Sequence, residues 1–383
     1  MTTRFKLTAL AAAFVLSAVA GPAMADINVG ISLSTTGPAA ALGIPEKNTV
    51  PLLPTTIAGQ KINYIVLDDA TDASQAGKNA RKLITDDKVD ILLGSSSTPP
   101  TVAMAEVANE TKTPQITVAP VELPADKEKW IFRAPQHIRL MAEALVEHMK
   151  AHGVKRLGFI GYTDAYGESW LKEMRAAAEK AGIQLNDVER FNRTDTSVTG
   201  QAVKLVAAKP DAIIVVASGT PSVLPQVTLQ DRGFKGQIYQ THGTATKEYI
   251  RVGGKAVEGT ILPVGPVVVA DQLPDSYPTK KLAQEYTKRY EEKYGKGSFS
   301  SFGAQFYDAF LIFQAAVPEA LKRAKPGTPE FRAALRDVIE SQKEVVGTHG
   351  VFNMSPTDHF GLDARARVLV QVKNGDWKLI PSK

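Results

Sequence analysis

The sequence predicts an α/β protein built from two mostly parallel sheets with helices on both faces. Three observations carry this. Short apolar runs alternate with helical patterns, as happens when parallel strands are joined by helices. The alternation pauses at "KWIFRAPQ" and then starts afresh, enough for a second sheet. Several apolar runs end in small, polar or glycine residues, the kind of strand end that borders a cleft in such folds.

In the first series, strands are expected at 27–34, 62–70, 89–94 and 113–120. A helix over 74–87 places Ala76, Ala80, Leu83 and Ile84 on one face, and Val102, Ala105, Val107 and Ala108 mark another. The second series predicts helices at 138–151, 166–181, 198–208 and 222–232. Between and after them, strands are expected at 156–161, 183–190, 211–217 and 236–241. The Pro-rich "GTILPVGPVVVADQLPDSYP" suits an extended crossing segment, and helices follow at 279–294, 302–324 and 328–342. The closing "ARVLVQVKNGDWKLI" is a hairpin, with Asn374-Gly375 as its two-residue turn.

Composition narrows the function. The 383 residues are 44% hydrophobic and 22% charged, suited to about two soluble domains. A net charge of +5 without a dense basic run argues against nucleic acid as a partner. Residues 1–25 read as a signal peptide: Arg4 and Lys6, an apolar stretch from Leu7 to Ala20, then Ala23-Met24-Ala25 before Asp26. That stretch is shorter than the ~20 residues a membrane span needs. The chain has no cysteine, which removes disulfides, thiol nucleophiles, Cys-based zinc sites and the attachment point of a lipoprotein. An exported protein without a tether is retained by a periplasm, so the periplasm of a two-membrane bacterium is expected.

The stretch "DKVDILLGSSSTPPTVAMAEVANE" runs from a strand through Gly94-Ser95-Ser96-Ser97 into a helix. A helix N-terminus at a strand's carboxyl end offers free N–H groups to a carboxylate or phosphate. The serines add hydroxyl donors, and Pro99 and Pro100 suit a first helical turn. Helix capping explains the serines equally well. Other strand ends are similar: Pro120-Val121-Glu122, Tyr166-Gly167-Glu168, Ala217-Ser218-Gly219-Thr220 and His242-Gly243.

The order and spacing of "STTGPAAALG", "GSSST", "FRAPQ", "YGES", "GFKGQIYQTHG", "FGAQFYDAF" and "VLVQVKNGDWKLI" resemble the leucine/isoleucine/valine-binding proteins of ABC importers over the whole mature chain. The resemblance implies a type I periplasmic binding protein: two Rossmann-like lobes joined by three crossover strands, with ligand trapped between them. The first lobe is then expected at 26–136 plus 265–350, and the second at 137–264 plus 351–383. It also implies a monomer without metal or cofactor, partnered by a permease and ATPase subunits in the inner membrane.

Amino-acid binders of this family hold a carboxylate with first-lobe hydroxyls and N–H groups, and an ammonium with second-lobe acids and a tyrosine. The carboxylate side carries over to Ser95, Ser96, Ser97 and the Ala119-Pro120-Val121 corner, with Val121 replacing a usual threonine. Tyr166 matches the tyrosine. His137 and His242 stand where the acids are typical, so an ammonium lacks its counter-charge. Ser218 and Gly219 complete the second wall. Leu42, Leu93 and Phe302 align with side-chain contacts, with core packing as the plainer role for Leu93. A carboxylate end, a flat apolar body and a polar far end describe an aromatic acid such as benzoate or 4-hydroxybenzoate. A branched-chain amino acid is the alternative. An exported hydrolase is a further one, but "GSSST" is not the G-x-S-x-G elbow and the six histidines show no H-E-x-x-H spacing. No catalytic residue is expected.

Overall fold

The computed structural model describes residues 25–381; the expected signal peptide falls outside them except for Ala25. The first lobe opens with β1 (Ile27–Leu33), α1 (Ala40–Thr49), β2 (Thr56–Ile57), β3 (Gln60–Asp68) and α2 (Ala73–Thr85). It continues through β4 (Ile91–Gly94), α3 (Thr98–Thr111), β5 (Gln115–Thr117) and β6 (Ile131–Arg133). These strands form a six-stranded sheet in the order β2-β3-β1-β4-β5-β6, in which β2 alone runs antiparallel to its neighbour. Parallel strands covered on both faces are apolar on both, and β4 shows why. Leu93 packs on one core with Ile27, Val29 and Ile31, while Leu92 packs on the other with Met104 and Leu83.

The second lobe runs α4 (Ile138–Ala151), β7 (Arg156–Tyr162), α5 (Ala165–Ala181), β8 (Gln184–Phe191), α6 (Thr199–Ala207) and β9 (Ala212–Val216). Then come α7 (Val223–Asp231), β10 (Gln237–Gln240), α8 (Lys247–Gly253) and β11 (Ile261–Val264). The chain returns to the first lobe with α9 (Lys280–Tyr294), α10 (Ser301–Arg323), α11 (Pro329–Ser341), β12 (Val345–Val346) and β13 (Val351–Phe352). It ends in β14 (Val368–Lys373) and β15 (Asp376–Ile380). The second sheet has seven strands in the order β15-β14-β11-β10-β9-β7-β8. Its terminal hairpin turns at Asn374 and Gly375, with φ of +56° and +70°, the left-handed pair that a tight two-residue turn requires.

In each sheet the strand order reverses at one place, between β1 and β4 in the first and between β7 and β9 in the second. Ligands of open α/β sheets bind beyond the carboxyl ends of strands at such points. The chain crosses between lobes at 134–137, at Gly265 and at Arg367. The three crossings meet: Gln136 Nε2 donates to Ala366 O at 2.8 Å, and a Cβ on Gly265 would stand 3.0 Å from that same nitrogen.

Two expectations need correction. The segment from Val351 does not pass to the second lobe at once. Phe352, Met354, Leu362 and Ala366 are buried in the first lobe's core and hold the chain there until Arg367. The Pro-rich stretch is only partly extended: β11 pairs with β10 and β14, and Pro266–Gln272 then winds into 3-10 turns. Among the described residues, no helix is long and apolar enough to cross a membrane.

Candidate functional site

The strand ends at both reversal points face one narrow cavity between the lobes. Its first-lobe wall comprises Leu42 of α1, Ser96 to Thr98 at the start of α3, Val118 to Pro120 after β5, and Phe302 and Gln305 of α10. The second-lobe wall comprises Tyr166 of α5, Arg193 after β8, Ser218 after β9, and His242 and Gly243 after β10.

The first wall is a hydroxyl ladder. Gly94 ends β4 at φ +119°, and a Cβ there would fall 2.1 Å from Ser32 O, so the turn out of the strand requires glycine. Ser95 points inward: its Oγ donates to Asp69 Oδ2 at 2.6 Å, beside bonds from Ser32 and Ser34 to the same carboxylate. Burial pushes the Asp69 carboxyl above its usual range, against the pull of those hydroxyls. Ser96 Oγ accepts the Ser34 N–H at 2.9 Å and makes a short bond to Glu46 Oε2. Ser97 occupies the N-cap position of α3, yet its side chain makes no capping bond. Its Oγ is buried without a partner. The capping role that local sequence allowed for this serine is therefore not the one it plays. Thr98 Oγ1 donates to Pro120 O at 2.9 Å and fixes the β5 corner beside it.

The second wall carries the positive charge. Asp164 caps α5 by accepting the N–H groups of Tyr166 and Gly167, and its other oxygen accepts Arg193 Nε at 2.6 Å. The guanidinium lies over the Tyr162 ring at 4.1 Å and donates through Nη1 to Ser218 Oγ at 2.9 Å. Tyr166 donates its hydroxyl to Thr241 Oγ1 at 2.8 Å, and burial holds this phenol protonated far above its ordinary value. His242 sits at the start of the turn after β10, with its ring 5.7 Å from Trp170. Burial, and then the neighbouring His349, lower its pKa to about 3, so the imidazole is neutral. Its Nδ1 is buried without a partner.

Of the residues expected at the site, Leu42, Ser96, Ser97, Pro120, Tyr166, Ser218, His242 and Phe302 line this cavity, and Ser95, Val121, His137 and Gly219 do not. Ser95 is turned into the Asp69 network. Val121 is buried with its carbonyl held by Arg133 Nε at 3.1 Å. His137 caps α4, accepting the Arg139 N–H at Nδ1, and packs on Phe360 at 4.6 Å. Gly219, at φ +59°, faces α1 across the lobe boundary, where a Cβ would meet Leu42 Cδ1 at 3.1 Å. Leu93 is core.

Arg193, Thr98 and Gln305 were not foreseen. Each carried a signal: Arg193 stands two residues past the end of β8, Thr98 directly follows Ser97, and Gln305 is one helical turn beyond Phe302. Among the described residues, no carboxylate lines the cavity. Glu122, beside the β5 corner, is instead bridged to Lys172 of the other lobe at 2.8 Å, and Glu168 is paired with Arg190.

The sequence profile of the periplasmic binding protein family matches residues 26–376. The chain belongs to the periplasmic binding protein family. The protein is 46% identical to Rp1789 of Rhodopseudomonas palustris (strain CGA009), with a TM-score of 0.92 over 93% of this chain and 100% of that one. It is 24% identical over 358 residues to Leu/Ile/Val-binding protein homolog 7 of Brucella abortus (strain 2308), covering 87% of this chain and 86% of the relative. A solute-binding protein of an ABC transporter from R. palustris BisB5, solved in complex with 3,4-dihydroxybenzoic acid, shares the fold. That pair is 18% identical with a TM-score of 0.77, over 92% of this chain and 95% of the other. The chain is thus a periplasmic binding protein whose two lobes take the type I arrangement.

Proposed function

We propose that this periplasmic binding protein captures a small aromatic carboxylate between its lobes and presents it to an ABC permease in the inner membrane. One observation carries the reading: the cavity is lined by Arg193, serine and threonine hydroxyls and a neutral His242, without a lining carboxylate. An α-ammonium in this space would be buried without a counter-charge, which is costly. A carboxylate finds Ser96, Ser97 and the guanidinium side, and Phe302 and Leu42 provide apolar faces for a ring. His242 Nδ1 offers a bond to a polar group at the ring's far end.

Capture proceeds by closure, favoured by ligand contacts that exist only with the lobes together. Protein contacts across the cleft include Lys172 to Glu122, Ser301 Oγ to Ala245 O at 3.1 Å, and Gly219 beside Leu42. The BisB5 protein's aromatic acid supports this class of ligand. The Leu/Ile/Val-binding name of the Brucella relatives favours a branched-chain amino acid as the second reading.

A thermal-shift screen of the mature protein with benzoate, 4-hydroxybenzoate, cinnamates, short dicarboxylates, leucine and valine separates them. A ligand at ~100 times its Kd adds about 2.7 kcal/mol of stability. A shift with aromatic acids but not leucine is expected. Tight binding of leucine or valine overturns the aromatic reading.

A further inference from the structure

Glu46 is completely buried one step behind the cavity, on α1. Its Oε2 is bonded to Ser96 Oγ, and its Oε1 has no hydrogen-bond partner. No cation is paired with it among the described residues. A carboxylate in this position would keep a full charge out of water with one hydroxyl as its support.

The proton arithmetic at Ser96 is restrictive. A serine hydroxyl has one proton to donate and two lone pairs to offer. One lone pair is taken by the Ser34 N–H at 2.9 Å. If Glu46 were ionised, Ser96 would give it its only proton and present no donor to the cavity. If Glu46 carries the proton, it donates to the second lone pair of Ser96. The hydroxyl proton of Ser96 is then free to point into the cavity that this residue lines.

We propose that Glu46 is a positioning residue that stays protonated, so that Ser96 acts as a donor and the first wall selects an anion over an ammonium. The inference rests on the carboxylate reading of the site and gives its source of selectivity. Burial raises the Glu46 pKa well above its ordinary value against the pull of its bond to Ser96, and the neighbouring Asp69 adds to the rise.

The other charged or titratable groups nearby are engaged elsewhere. On α10, Asp308 accepts the backbone N–H groups of Thr348 and His349 and pairs with the His349 ring at 2.9 Å. From α9, Tyr286 and Tyr290 are bonded to Thr49 and Asn48 of α1. Across the cavity, Arg193 is paired with Asp164, and His242 is neutral.

The first test needs no ligand: infrared difference spectra of wild type against Glu46→Gln at pH 7. The carbonyl stretch of a protonated carboxyl, lost in the variant, is expected; no such band overturns the proposal. The second titrates 4-hydroxybenzoate into wild type, Glu46→Gln and Ser96→Ala. Glutamine can donate to Ser96 as the protonated acid does, so its Kd should stay within about 3-fold of wild type. Ser96→Ala should weaken binding about 10- to 100-fold, the usual effect of losing a hydrogen bond to a charged group. Binding at least 10-fold tighter in Glu46→Gln shows that wild type held an anion there, and unchanged binding in Ser96→Ala shows that the hydroxyl is not a donor. Either overturns the proposal. If 4-hydroxybenzoate fails to bind wild type while the infrared band is present, the ligand reading falls; the Ser96 arm is then run with the ligand found by the screen, and the same outcomes decide.

Discussion

The two walls of the cleft are framed alike and titrate in opposite directions. In each lobe a glycine lets the helix after the first strand press against that strand's end. A Cβ on Gly43 would stand 2.1 Å from Ser34 O, and one on Gly167 would stand 1.9 Å from Tyr162 O. The first wall then buries acids, Glu46 and Asp69, whose pKa values are raised; the second buries a base, His242, whose pKa is lowered. His242 thereby brings no charge to the cavity, and Arg193, paired with Asp164, is left as the charged side chain in its lining. On the proposed carboxylate reading, selectivity for an anion would follow from what the walls leave uncharged as much as from what they offer.

The shared frame is broken most severely by Gly43→Ala or Gly167→Ala. Each should lose about 3–5 kcal/mol in urea unfolding, since the added carbon meets a backbone carbonyl that cannot move aside. If one variant is tolerated and the other is not, the two lobes are not built on the same constraint.

The opposed titrations give opposite limbs of a stability profile. His242 has a folded pKa of about 3, below the ordinary 6.5, so its contribution is lost as pH falls through that window. The loss should be on the order of 2–4 kcal/mol between pH 6.5 and 3, and His242→Gln should remove it from the acid limb of Tm against pH. Glu46 has the reverse sign: with its folded pKa raised, stability is full below its unfolded value and declines as pH rises through the folded one. Glu46→Gln should therefore flatten the decline on the rising-pH side, which starts above the ordinary carboxylate value of 4.5. A variant that flattens the wrong limb refutes the assignment for its wall.

Arg193→Leu sharpens the comparison at the ligand. It should weaken 4-hydroxybenzoate by about 2 kcal/mol, roughly 30-fold in Kd by calorimetry, while leaving the first wall's pH behaviour intact. The smallest effect is expected at Lys172→Ala, which removes the bridge to Glu122 between the lobes. An exposed pair of this kind contributes about 0.5 kcal/mol or less, visible as a small rise in Kd that salt abolishes.

Much of the frame was legible in sequence because parallel strands and helices leave strong periodic marks. The strands from β7 to β10, α4 and the Asn374-Gly375 hairpin fall where the pattern places them, within a residue or two. The serine knot was legible as a site, but the pointing of its members was not. Ser95 and Ser97 are two residues apart and face opposite fates, one in the Asp69 network and one at the cavity. His137 was misjudged because a cap residue at a helix start turns its ring toward its own helix, and only packing against Phe360 shows that it leaves the cleft. Arg193 escaped because a loop after an outer strand reaches the cavity only once Asp164 and Tyr162 hold it there. The late return of the chain at Arg367 escaped for a similar reason: Phe352 and Met354 are equally at home in either core, and tertiary contacts decide.

The knot of crossings has a consequence in time rather than in affinity. Gln136 ties the first crossing to the third at Ala366, and only a glycine at 265 lets the second pass this close to Gln136 and His349, so the three crossings are in contact. If the lobes open and close as proposed, the motion would draw on all three crossings together, beside the cavity rather than at its serine and arginine walls. On that proposal, how long a captured molecule stays inside would be set partly at this joint, and a substitution there would hasten loading and unloading together while the Kd stands still.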